Sequence, residues 1–125
     1  MALAWAFADE DHPVASAALE GLRQGPALVP AIWWFELRNS LISGERRGRI
    51  LEADSEAFLR FVTRLGVAID RSPDETRVMG LARIHKLTVY DAAYLELAQR
   101  SGFALASLDR ELIRAAKAEG VGLVG

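Results

Sequence analysis

The stretch AlaLeuValProAlaIleTrpTrpPheGluLeuArgAsn, residues 27–39, holds two elements in succession. Its first three residues form a short apolar run closed by Pro30, which reads as a buried strand. A helix then begins at Ala31 and extends to about Gly44. The same alternation continues along the chain. Leu51–Leu65 is helical, with Gly66 as its C-terminal glycine, and Val67–Ile69 is a second short strand. SerProAspGlu at 72–75 starts a helix to about His85, with Ser72 as N-cap, Pro73 at the first helical position and acids in the first turn. Thr88 opens the next helix, which ends near Ser101 and Gly102. Phe103–Ala106 is a third strand, Asp109–Glu119 a helix and Val121–Val124 a final strand. Upstream, the Ala-rich run Ala2–Ala8 reads as a helix, Pro13 opens a second one to about Gly21, and GlnGlyPro at 24–26 is a turn. Short apolar strands alternating with helices predict an α/β fold in three layers, a short parallel sheet flanked by helices.

The composition narrows the function classes. At 125 residues the chain is expected to form one domain over 1–125. Apolar residues at 51% and charged ones at 26% argue against a disordered chain. There is no cysteine, so disulfides, zinc–thiolate sites and thiol nucleophiles are excluded, and the cytoplasm is the expected compartment. The formal charge of -2 gives no global basic footprint, so any attraction for nucleic acid must come from a local patch or a bound metal. The longest apolar run, Ala2–Ala8, is too short to cross a membrane and lacks the basic flank of a secretion signal. No P-loop, dinucleotide fingerprint or nucleophile elbow occurs.

Three carboxylates carry the chemical interest: Glu36, Asp91 in ValTyrAspAlaAlaTyrLeu, and Asp109 in SerLeuAspArgGluLeu. Each sits in or opens an apolar helical run, and they are far enough apart in sequence to meet only in the folded chain. Hard divalent cations are commonly held by one or two carboxylates with waters and substrate phosphates. In α/β sheets, ligands bind beyond the carboxyl ends of the strands. Asp109 follows the strand Phe103–Ala106, and Glu36 lies one to two helical turns past the strand at 27–29.

Each acid also has a structural reading. Glu36 falls between an apolar stripe of Trp33, Trp34, Leu37 and Leu41 and a second of Phe35 and Ile42, so its helix reads as largely buried. A carboxylate there coordinates a metal, pairs with an arginine such as Arg38, or turns to solvent. Asp91 fits a capping box opened by Thr88, and Asp109 is a good N-cap. His12 and His85 stand apart from any metal-binding spacing. Ser107 is a capping residue or a phosphate contact, and Arg46, Arg47 and Arg49 form a solvated basic loop or an RNA contact.

Together, four segments resemble PIN-domain ribonuclease toxins of the VapC type: residues 2–12, 28–39, 87–98 and 106–112, in the family's order and across essentially the whole chain. The resemblance implies RNA cleavage with Mg²⁺ or Mn²⁺ held by Glu36, Asp91 and Asp109, the family's later acids. It also implies a homodimer and a cognate antitoxin whose tail blocks the site. Trp5, Phe7 and Trp34 are candidates for those contacts or for the core. The family begins with a strand ending in an aspartate ahead of the segment that here starts MetAlaLeuAlaTrp, so the chain as given is expected to lack both and to have impaired activity. A fragment, a decayed copy, or Asp9 as a replacement ligand after a strand at Leu3–Ala8 would each account for this. The rival function is a non-catalytic PIN-like module that binds an antitoxin or itself, and an unrelated α/β domain would leave the three acids as separate caps.

Overall fold

The computed structural model describes residues 27–107 and 109–124. The expected elements at 2–24, with Asp9, His12, Trp5 and Phe7, lie outside the described residues. Two parallel strands, β1 (Leu28–Pro30) and β2 (Ala68–Asp70), pair in the register Leu28 to Ala68, Val29 to Ile69 and Pro30 to Asp70. Between them in sequence run α1 (Ile32–Arg46) and α2 (Glu52–Arg64). After β2 come α3 (Glu75–His85), α4 (Val89–Ser101) and α5 (Arg110–Ala118). This is the expected α/β arrangement.

Helix α4 is the centre of the packing, touching β1, α3 and α5. Its Ala92, Tyr94, Leu95, Leu97 and Ala98 are all buried, joining Trp33, Leu37 and Leu41 of α1, Leu81 of α3 and Leu112, Ala115 and Ala116 of α5. Its ends are set locally. The Thr88 hydroxyl accepts from the Asp91 backbone N–H at 3.1 Å, and Gly102 closes the helix at a positive φ of 75°, where a side chain would be strained. Gly66 does the same after α2, at φ 69°.

Three expectations shift. The segments 103–106 and 121–124 meet only in one parallel bridge, Leu105 with Leu123, flanked by backbone bonds from Leu105 N–H to the Gly122 carbonyl and from Val124 N–H to the Leu105 carbonyl. Leu105 is the one residue of its run that is fully buried, and Phe103 and Ala104 are exposed, so a longer ladder has no face to hide. The N-cap of α3 is Asp74 instead of Ser72: its carboxylate accepts from Arg77 N–H at 3.1 Å. Ser72 is engaged earlier, its backbone N–H bonded to the Asp70 carboxylate, so the helix starts two residues late. Finally, only part of one stripe of α1 is buried, Trp33, Leu37 and Leu41. Trp34, Phe35 and Ile42 are exposed, Phe35 by 63%. Apolar residues need not be interior, and periodicity alone does not decide which of two stripes meets the core.

Candidate metal centre

The three acids come from three helices. Glu36 lies in α1, half-buried at the edge of the stripe that packs inward. Asp91 lies in the first turn of α4, and Asp109 is the N-cap of α5, its Oδ1 accepting from Leu112 N–H at 2.9 Å. Asp91 and Asp109 therefore both sit at helix starts, where backbone dipoles favour negative charge. The Ser107 hydroxyl accepts from Asp109 N–H at 3.0 Å, so Ser107 braces the turn that presents Asp109 and does not itself cap the helix.

These acids sense one another. Burial pushes the Asp91 carboxyl above its ordinary range, and the negative charges of Asp109 and Glu36 push it further, against the Thr88 hydroxyl, which draws it down. The charges of Glu36 and Asp109 thus both reach Asp91, which places the three acids in one neighbourhood of the fold. Their contact is looser than a closed cage: among the described residues no three His, Asp or Glu side chains gather tightly enough to hold an ion by themselves. Such spacing leaves room for water between the acids and an ion.

The donor set nonetheless fits a hard divalent cation. All three groups offer carboxylate oxygens, and Mg²⁺ ordinarily takes one or two carboxylates and keeps several waters. Among the described residues, moreover, no salt bridge neutralises Glu36, Asp91 or Asp109, whereas Asp70, Glu96, Glu111 and Glu119 each have one. Arg38, the alternative partner for Glu36, is turned elsewhere: its guanidinium lies 3.8 Å from the centre of the Trp34 ring and donates to the Trp34 carbonyl.

Glu36 is held instead by a residue outside the three. Tyr94 Oη donates to Glu36 Oε1 at 2.5 Å. Burial, this bond and the nearby charges of Glu36 and Asp91 hold the phenol protonated, well above its ordinary range. Tyr94 lies three residues after Asp91, on one helical face with it, but its bond to Glu36 spans 58 positions and no sequence spacing marks it. His85 is a core residue, paired with Glu119 at 2.7 Å. Arg46 and Arg47 are exposed at the end of α1, and Arg49 is exposed in the turn that follows.

The model of the PIN domain family matches residues 1–118, and the chain belongs to that family, whose members are generally metal-dependent nucleases. The chain is similar to the crystal structure of PAE2754 from Pyrobaculum aerophilum, at 28% identity and a TM-score of 0.65, over 82% of this chain and 74% of that one. No curated protein matches the chain.

Proposed function

We propose that the protein is a metal-dependent endoribonuclease toxin of the VapC type, with Glu36, Asp91 and Asp109 holding Mg²⁺ or Mn²⁺. The observation that carries this reading is the shared negative potential of three carboxylates from three helices, without a salt bridge among the described residues. A bound divalent ion acidifies water and offsets charge on a phosphodiester. The chain's own part is to keep the acids ionised and placed. Two helix N-termini favour anionic groups there, and the Thr88 hydroxyl opposes protonation of Asp91.

RNA is the proposed substrate, a cognate antitoxin and a second copy of the chain the proposed protein partners, and the cytoplasm the proposed compartment. Among the described residues no helix is long and apolar enough to cross a membrane. The exposed Trp34, Phe35 and Ile42 on α1 offer an apolar surface for a protein partner. That surface, with the open spacing of the acids, also supports the second reading, a non-catalytic module that binds an antitoxin or itself.

Cleavage of an unstructured RNA pool in Mg²⁺ or Mn²⁺, repeated with Asp109→Asn and with a chelator, separates the two. Asn retains the cap but not the charge, so the enzyme reading expects cleavage to need both the metal and Asp109. RNA cleavage that survives chelator and substitution alike sinks it, and a parent chain that cuts nothing supports the module.

A further inference from the structure

We propose that Tyr94 is a positioning residue of the metal centre, whose phenol fixes the Glu36 carboxylate in the orientation that a cation meets. The inference rests on the metal reading above and deepens it. Tyr94 is 6% exposed and its ring belongs to the core, so its hydroxyl has little freedom. A buried phenol needs a hydrogen-bond partner, and here it donates to Glu36 Oε1 across the α1–α4 boundary. The same helix carries Asp91 three residues earlier, so one rigid element fixes both carboxylates relative to each other.

The chemical type of the donor matters as much as its position. An arginine at this point would orient Glu36 and neutralise it, as Arg100 does for Glu96 through bonds of 2.6 and 3.0 Å. A phenol contributes one O–H and no charge. Glu36 is thereby oriented while its negative charge stays available to a cation. Half-buried and otherwise without a salt bridge among the described residues, it would turn among rotamers once the phenol is removed. Groups that orient metal ligands typically change affinity 10–100-fold when lost.

The test uses the full chain and two readouts. Calorimetric Mn²⁺ titrations compare the parent with Tyr94→Phe, which keeps the ring, and with Glu36→Gln. Tyrosine ¹³Cζ resonances are followed during Mg²⁺ titration of the parent. The chain has two tyrosines, and exposed Tyr90 serves as the internal reference. Positioning predicts that Mn²⁺ affinity falls roughly 10–100-fold in Tyr94→Phe while cooperative melting persists. It also predicts that the Tyr94 resonance moves with Mg²⁺ and that of Tyr90 does not. Parent-like affinity in Tyr94→Phe, with Glu36→Gln impaired, overturns the role of Tyr94 and leaves the metal reading standing. A parent that binds no Mn²⁺, or a Glu36→Gln chain that binds as well as the parent, overturns both. Should Tyr94→Phe fail to fold, the parent's resonances decide: a Tyr94 signal unmoved by saturating Mg²⁺ overturns the proposal.

Discussion

The two ends of α4 treat acidic residues in opposite ways. Near its start, Asp91 faces two further carboxylates, and among the described residues no salt bridge relieves any of the three. Near its end, Glu96 is only 2% exposed, yet both its oxygens are taken by Arg100, which also forms a bidentate pair with Asp70 at 2.7 and 3.1 Å. Beside it, Glu119 accepts from Arg77 and Gln99 and contacts His85. Paired charges knit β2, α3, α4 and the end of α5 together. Unpaired charges of one sign do the reverse, raising the free energy of the fold, and such an arrangement persists where something outside the chain uses it.

The sharpest way to break this contrast is to neutralise one acid at the start of α4. Asp91→Asn is expected to lower RNA cleavage roughly 10²–10³-fold, the scale on which a single electrostatic stabiliser of a transition state is lost. Its melting temperature should hold or rise, since a repelled charge is removed and the Thr88 cap, a bond to backbone, remains. Cleavage assays and thermal melts on the same preparation test the pairing of outcomes. A variant that loses stability along with activity would place Asp91 among the structural acids.

Arg100→Ala addresses the other end. It leaves the buried Glu96 carboxylate and Asp70 without their shared partner. Breaking a buried pair from one side costs about 3–5 kcal/mol. Arg100 is 37% exposed, so water screens part of this and about 2–3 kcal/mol is the expected loss in urea unfolding. Metal affinity of the remaining folded protein should be unchanged.

How far these two ends were legible in the sequence differs for a physical reason. Asp91 and Asp109 stood out as acids in or opening apolar helical runs, and their capping reading was legible too, since capping depends on residues three or four apart. Their coupling to Glu36 was not legible from spacing, since it depends on how α1, α4 and α5 pack. The same holds for Tyr94, whose partner is 58 positions away. The Arg100 bridge to Asp70 spans 30 positions and was likewise not legible from spacing. The alternation of short strands and helices was legible, but 103–106 and 121–124 had apolar composition without enough inward residues to extend a ladder beyond Leu105.

Acid should pull the two ends apart. Asp91 has a raised pKa in the fold, so between its unfolded value, near 3.8, and its folded one the native state holds more protons than the unfolded. Its contribution to stability is unfavourable above that window and is relieved as pH falls through the folded value. Asp70 and Glu119 are lowered, chiefly by hydrogen bonds from Arg100 and from His85 respectively, so their stabilisation is present above the unfolded values and is lost as pH falls through the folded ones. Stability should therefore hold up at first on acidification and then decline. Asp91→Asn should remove the first phase alone, and a urea-unfolding series run on both chains across the acid range would register this as a difference in the shape of the two profiles. Metal binding should weaken on the same acid side as Asp91 takes up its proton.

The smallest effect tests whether an unpaired polar group always signals use. Ser55, in the first turns of α2, is buried and its Oγ has no hydrogen-bond partner, a condition shared among the described residues by Trp33 Nε1. Unlike Asp91 it carries no charge, and no electrostatic coupling links it to the three acids. Ser55→Ala removes the unsatisfied hydroxyl and improves helix propensity, so a gain of up to about 1 kcal/mol is expected, with cleavage and Mn²⁺ affinity unchanged. A fall in metal affinity would extend the functional unit into α2. A loss of stability would mean that the hydroxyl is satisfied in solution, and would narrow the contrast at α4 to charged groups, where repulsion among like charges leaves no such local remedy.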